Sequence, residues 1–306
     1  METLSKSSFI ICTRNRFGDI EKCIESILAQ SVKMFELIII DSSDQIGLEG
    51  ILKGKFSKYA FEFIYRHTSV GLTYQRNVGI SIASGDYIFF FDDDVILDVD
   101  YHEEILRAYN EHLSAMGVGG IVKNERFFSY SQTFFRKLFC LSTSSGFNNI
   151  LPSGQLDYIN TYKLNRVIKV DALFGCLVSF KKKVFEEFRF DESLAGYAAG
   201  EDVDFSYRVS RKYGLFLTPS ATAFHNPSHI SQSRPKDFME MLILNSIAFY
   251  AKNMDKNIYT AILFLWSQIG FFLYSIVQSI KYRNVKWLKG AFSAYQSFIY
   301  RKTLKK

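Results

Sequence analysis

Residues 87–94 read Tyr-Ile-Phe-Phe-Phe-Asp-Asp-Asp. Five apolar or aromatic residues in a row, with no helical spacing, predict a strand over Tyr87–Phe91 that is covered on both faces. The strand stops at three adjacent carboxylates, Asp92, Asp93 and Asp94. Clustered like charge is costly beside a buried strand unless a cation offsets it. Side chains alternate along an extended chain, so Asp92 and Asp94 face one side and Asp93 the other. Two carboxylates on one side suit Mg²⁺ or Mn²⁺ with positions left for diphosphate oxygens. The alternatives are a solvated acidic turn or a helix N-cap run.

Upstream, the same pattern recurs. Phe9–Cys12 and Leu37–Ile40 are apolar runs, stopped by Thr13-Arg14-Asn15-Arg16 and by Asp41-Ser42-Ser43, and Phe61–Tyr65 reads as a third strand. Between and after them apolar residues take helical spacing over Ile20–Leu28, Thr73–Ala83 and Tyr101–Leu113. Strands alternating with helices predict βαβ units and a mostly parallel, Rossmann-like α/β sheet with helices on both faces. Ligands of such sheets bind beyond the carboxyl ends of the strands. The polar clusters at 13–16, 41–42 and 92–94 are therefore expected to converge on one crevice.

The second half is less regular. Residues 127–162 read as long loops or an insertion, Val170–Phe180 as strands around Gly175, and Ala199–Tyr213 as a helix opening with Gly-Glu-Asp. Thr218–Phe224 reads as a strand ending at His225, and Pro235–Met254 as a helix. Lys181-Lys182-Lys183 reads as a solvated turn before a helix at Val184, with phosphate contact the other reading. Ile258–Ile280 is 23 residues without a charge.

Together these segments resemble family 2 glycosyltransferases of the GT-A fold. FIICTRNRFGDIEKCIESILAQSVKMFELIIIDSSD is similar to the family's opening, and GLTYQRNVGISIASGDYIFFFDDD to the stretch holding its metal motif. GCLVSFKKKVFEEFRFDE and GEDVDFSYRV resemble its acceptor side, all in the family's order over roughly residues 8–226. The resemblance implies that Thr13, Arg14 and Arg16 touch the nucleotide and that Asp41 reads the base, with Ser42-Ser43 departing from the usual neighbours. It implies that Arg76 and Asn77 support the nucleotide and the metal motif, that Asp92 and Asp93 lie at the nucleotide-sugar, and that Asp94, with Asp92 and His225, holds the metal. His229 competes with His225; an imidazole in the set suits Mn²⁺ better than Mg²⁺. Glu201-Asp202 matches the family's Glu-Asp pair, with Asp202 the general base and Glu201 its neighbour. A carboxylate within reach of an acceptor hydroxyl takes its proton during attack, which gives direct displacement with inversion. An acidic helix start favoured by the macrodipole is the plainer reading of that pair.

The implied division is a catalytic domain over 1–230, with a nucleotide-sugar half (1–115) and an acceptor half (116–230), and a helical region, apolar then basic, over 231–306. The implied reaction moves a sugar from a nucleotide-diphosphate sugar to a glycan or lipid-linked glycan. Two other classes also use clustered acids and nucleotides. A sugar-phosphate nucleotidyltransferase carries a Gly-rich loop with a Lys near its start, which TRNRFGD is not. A non-catalytic nucleotide- or glycan-binding module needs no base.

Charge is unevenly placed. The net charge is +6, but residues 281–306 hold eight Lys/Arg and no Asp/Glu, and the rest of the chain has 29 basic and 31 acidic residues. A nucleic-acid footprint on the body is not expected. Four cysteines, none in a C-x-x-C pair, suggest neither a zinc site nor a disulfide framework. With an N-terminal apolar run too short for a signal peptide, the expected setting is the cytoplasm, at the inner face of the membrane. Residues 258–280 are long enough to span a bilayer. A single crossing would export the basic tail against the positive-inside tendency, so an in-plane or re-entrant peripheral contact through 258–306 is the expectation.

Overall fold

The computed structural model describes residues 6–45, 47–56, 61–124, 128–143, 147–159, 164–194, 200–226 and 234–304. These form two compact units. The first comprises Met1–Glu125, Thr161–Tyr197 and Glu201–Pro227; the second comprises Arg126–Asn160, Ala198–Gly200 and Ser228–Lys306. Residues 126–160, read from sequence within the acceptor half, thus cluster with the C-terminal helices.

In the first unit, strands β1 (Ser7–Thr13), β2 (Glu36–Asp41), β3 (Glu62–His67) and β4 (Tyr87–Asp92) alternate with helices α1 (Phe17–Leu28), α2 (Leu48–Phe56) and α3 (Leu72–Ile82). Then come β5 (Val95–Leu97), α4 (Tyr101–Glu111) and β6 (Ala115–Val122). In the second unit lie α5 (Tyr130–Leu138) and a small hairpin, β7 (Asn149–Ile150) with β8 (Leu156–Asp157). The first unit closes with β9 (Ile168–Val170), β10 (Leu177–Lys181), α6 (Glu201–Ser210) and β11 (Gly214–His225). Lys182–Glu186 is a 3-10 turn where the sequence suggested a helix.

The sheet runs β3-β2-β1-β4-β10-β6-β11-β5, with β9 on β11. Strands β1 to β4 pair in parallel, as their apolar runs and intervening helices require. Strand β10 inserts antiparallel between β4 and β6, which makes the sheet mixed. Strand β2 is buried along its length, whereas edge strand β3 exposes Glu62, Arg66 and His67, charge that blunts a free edge. Strand β11 shifts register between Leu217 and Thr222, where Pro219 has no N–H for the ladder.

The core between β1, β4, α1 and α4 is aromatic. Phe9 packs on Phe89 and Phe91 at centroid distances of 4.8 and 5.1 Å. His102 of α4 is buried beside them. Its Nδ1 lies 2.9 Å from the Val32 carbonyl and its Nε2 lies 2.8 Å from Ser7 Oγ. A carbonyl only accepts, so Nδ1 carries the proton and Nε2 accepts from Ser7. Burial holds the ring's pKa below 6.5, against the Val32 bond that raises it. The unfolded chain therefore binds this proton first as pH falls. Stability from neutral His102 is complete above 6.5 and declines below it, by about 1.4 kcal/mol per pH unit until the folded pKa is reached. Urea midpoints between pH 7.5 and 5.5 should fall more steeply for the wild type than for His102→Gln; equal slopes would remove His102 from the account.

Candidate active site

Strand register sets the first layer of the site. Thr13 pairs with Asp41 and Asp41 with His67, while Cys12 pairs with Asp92. Thr13 and Asp41 therefore share one sheet face, and Asp92 lies on the other. Gln75 Nε2 donates to the carbonyls of Thr13 and Ile40 at 3.2 and 2.8 Å, fastening α3 across the ends of β1 and β2.

Asp41 is fully buried. One carboxylate oxygen accepts from the Ser43 N–H at 2.8 Å and from its hydroxyl at 2.5 Å, and the other from Tyr65 Oη at 2.6 Å. The loop after β1 grips the loop after β2. Asn15, in the left-handed region at φ 57°, donates its N–H to Ser43 Oγ at 2.8 Å and its amide to Asp44 at 2.7 Å. Arg14 pairs with Asp44 at 3.1 Å. Between these loops and α2 lies a cleft of about 450 Å³ lined by residues including Asn15, Arg16, Phe17, Asp44, Leu48 and Ile51.

The acidic trio lies where β4 ends. Asp93 accepts from Thr13 Oγ1 at 2.7 Å, and Arg16 Nη1 bridges Asp93 and Asp94 at 2.8 and 2.9 Å. Antiparallel pairing of β5 with the end of β11 sets His225 opposite Val95, and the Asn226 N–H donates to the Asp94 carbonyl at 2.9 Å. His225 Nε2 then meets Asp94 Oδ1 at 2.9 Å. Asp92, Asp94 and His225 each offer one ligand atom, and these lie within 4.8 Å of one another. The electrostatics fit a cation. Burial lifts the Asp93 carboxyl to about 6, against Thr13 and Arg16. Asp92 is raised by burial, with Asp94 and Asp202 adding to it and Arg76 and His225 opposing. His225 is raised although burial opposes it, because the Asp94 carboxylate holds its proton. Two carboxylates and an imidazole gathered at one corner form a donor set that fits a divalent cation.

Arg76 links this corner to the second carboxylate pair. It is 3% exposed and lies over the Phe90 and Phe190 rings at 5.7 and 5.2 Å. Its Nη2 is 3.5 Å from Asp92 and donates to the Gly175 carbonyl at 3.2 Å. Its Nη1 is 2.8 Å from Glu201 Oε1. That approach is off the N–H line, so it is an ion pair without a hydrogen bond, and neither Arg76 Nη1 nor Glu201 Oε2 has a hydrogen-bond partner among the described residues. A Cβ on Gly175 would sit 2.7 Å from Arg76 Nη1 and 3.0 Å from Asp202 Cβ, so any larger residue would displace the Arg76 guanidinium. Gly200 at φ 88° turns the chain into α6. Asp202, in the first turn, accepts from the Gly175 N–H at Oδ2 and from the Val203 N–H at Oδ1, both at 2.9 Å.

Asn77 faces elsewhere. Its amide donates to the Phe190 carbonyl and to Glu192 and accepts from the Phe190 N–H, which ties α3 to the segment before α6. His229 lies outside the described residues. Gln75, Tyr65, Asn15 and Gly175 carry the geometry yet were not singled out, or were left open, in the sequence. A Gln or Tyr is not informative until its strand-end partners are known.

Residues 8–188 match glycosyl transferase family 2. The chain is 23% identical to the glycosyltransferase GlyA of Streptococcus pneumoniae over 192 residues, covering 62% of this chain and 26% of that protein. It is 26% identical to the amylovoran biosynthesis glycosyltransferase AmsB of Erwinia amylovora over 233 residues, covering 70% and 68%. The chain thus spans about a quarter of GlyA's length. The crystal structure of GalNAc-T7 with UDP, GalNAc and Mn²⁺ superposes with a TM-score of 0.57 at 15% identity, covering 92% of this chain and 59% of that one. At that identity the likeness shows the fold, which is GT-A.

Proposed function

The chain belongs to glycosyl transferase family 2, and on that premise we propose that it moves a sugar from a nucleotide-diphosphate sugar to a hydroxyl of a glycan or lipid-linked glycan, with inversion. The observation carrying this reading is the convergence of two carboxylate clusters on Arg76: the acidic corner Asp92, Asp94 and His225, and the pair Glu201-Asp202. Asp92, Asp94 and His225 would hold a divalent ion, Mn²⁺ by the imidazole in the set. When bound, that ion offsets the charge of the departing diphosphate.

Arg16 stands beside the acids and the 450 Å³ cleft and orients the donor, with Thr13 and Asn15 shaping the same loop. The Asp202 carboxylate is held by two backbone N–H groups. It takes the acceptor hydroxyl's proton as that oxygen attacks the anomeric carbon and the nucleoside diphosphate departs from the opposite face. Glu201, drawn to Arg76, fixes the start of α6. Work on the cytoplasmic face, where nucleotide-sugars are made, follows from this donor class. The likeness to the amylovoran biosynthesis glycosyltransferase AmsB supports a glycan acceptor.

A panel of UDP-, dTDP- and GDP-sugars tests the donor. A matching donor at a hundred times its Kd should add about 2.7 kcal/mol of stability with Mn²⁺. EDTA should remove the shift, and Asp94→Asn or His225→Ala should weaken metal-dependent donor binding at least tenfold, since even a ligand's hydrogen-bond partner is worth about 10–100-fold in metal affinity. Equal shifts with and without metal would end the metal assignment.

A further inference from the structure

The second unit contains a helix built inside out. Ile258–Lys281 buries Thr260, Ser267, Gln268, Gly270, Phe271, Ser275 and Gln278. Five of these seven are polar. The outward side carries Ile258, Ile262, Leu265, Trp266, Ile269 and Ile280, exposed by 80, 58, 62, 41, 46 and 72%. Their spacing follows one helical stripe. A soluble surface helix has the opposite sidedness.

The buried polar side is satisfied within the unit. Gln268 donates to Ser246 at 2.9 Å, Gln155 to Ser267 at 3.3 Å, and Tyr295 to the Gln268 carbonyl at 2.9 Å. Gly270 lets Phe139 approach where a Cβ would lie 2.5 Å from it. The inward face is therefore a protein contact, and the outward face is the unpartnered one.

That face continues onto α5. Trp266 donates its indole N–H to the Leu138 carbonyl at 2.6 Å and stacks on Phe139 at 5.3 Å. Helix α5 buries none of its residues, and its i, i+4, i+8 stripe of Tyr130, Phe134 and Leu138 is 90, 63 and 51% exposed. At and just beyond the end of the long helix, Lys281, Arg283, Lys286 and Lys289 are exposed, in a segment of the sequence with eight Lys/Arg and no acid from 281 to 306.

We infer that this face, from the α5 stripe across Leu265 and Ile269 to the lysines after 281, docks in the plane of an anionic lipid surface. Apolar side chains enter the acyl boundary, and the adjacent cations meet the lipid phosphates. An indole at the rim suits the interface. Although 24 residues suffice for a crossing, the geometry favours the plane. The long helix shares one core with Pro235–Asn253 and Lys286–Leu304, and these carry Lys236, Asp237, Glu240, Lys252, Lys286 and Lys289. A crossing would draw those charges into hydrocarbon, whereas docking immerses only the outward stripe. The inference concerns the second unit alone and does not depend on the donor or the metal.

The test is co-sedimentation of the full chain with vesicles of phosphatidylcholine alone or with a third phosphatidylglycerol. The wild type should partition at least tenfold more onto the anionic vesicles, less so in 0.5 M salt, and be released by alkaline carbonate. Leu265→Glu with Ile269→Glu, and separately Phe134→Glu, should each lose tenfold or more while the Mn²⁺-dependent donor shift persists. These are exposed positions, and unchanged thermal melting verifies the fold. Three results would overturn the inference: no preference for anionic vesicles, charge variants that bind as the wild type does, or resistance to carbonate, which marks a crossing. A dimer dissociated by Leu265→Glu, without vesicle binding, would assign the face to a second copy instead.

Discussion

Asp202→Asn should reduce kcat by about 10²–10⁴-fold, the usual contribution of a positioned base, with donor affinity within about twofold of wild type, since the proposed donor site lies at the other strand ends. Both oxygens of Asp202 already accept from backbone, one from Gly175 and one from Val203. The carboxylate is thus fixed without a cation of its own, and its remaining lone pairs are available to a hydroxyl. Asparagine keeps the shape but has one acceptor. One of the two N–H groups then loses its partner, at a cost of about 1–3 kcal/mol if it stays dry. Thermal melting must therefore accompany the kinetics. Single-turnover transfer and donor titration separate the outcomes. Lost transfer with retained donor binding fits a base. Equal loss of both would make Asp202 a support for the Gly175–Arg76 contact, and transfer at the wild-type rate would exclude it from the chemistry.

Local signals carried much of this site, and long-range pairings carried the rest. The strand stopping at Asp92 is legible because an apolar run and a charge cluster meet within eight residues. The juxtaposition of Asp94 and His225 depends on β5 pairing with β11 across 131 residues, which only the family's spacing suggested. Strand β6, Ala-Met-Gly-Val-Gly-Gly-Ile-Val, passed unread because its glycines weaken any strand signal. The fold needs them there: a Cβ at Gly117 would sit 2.7 Å from Phe180 and Leu215, and one at Gly120 2.5 Å from the Ala221 carbonyl. Helix α2 was missed for a similar reason, with Gly50 and Gly54 interrupting its nine residues. Strand β10 read correctly as a strand, but its antiparallel place between β4 and β6 is a non-local choice that no window reports. The charge-free run at 258–280 was plain; its inverted sidedness appears only once Gln268 and Ser275 are seen to face inward.

Arg76→Met should be the most destabilising single change in the site, by about 3–5 kcal/mol, because it leaves a buried carboxylate without its partner. Burial already pushes the Glu201 carboxyl well above the usual range, and Arg76 is the first influence opposing that. Arg76 itself is raised although burial opposes it, with Glu201 and then Asp92 holding its proton. With the guanidinium gone, the Glu201 carboxyl loses the main influence opposing its burial, and Asp92 loses its 3.5 Å counter-charge. Methionine fills much of the space over the Phe90 and Phe190 rings, so packing is largely kept and the loss reports electrostatics. Adding Glu201→Gln to Arg76→Met should therefore recover part of the stability, a positive coupling in a double-mutant cycle. Arg76→Lys should fall between the two, since a point charge cannot reach Asp92, the Gly175 carbonyl and Glu201 together as the planar fork does. Urea midpoints of five proteins decide it: wild type, Arg76→Met, Arg76→Lys, Glu201→Gln and the Arg76→Met/Glu201→Gln double variant. A cost below about 1 kcal/mol for Arg76→Met, or no coupling to Glu201, would mean that the two carboxylate clusters are not held together by this cation.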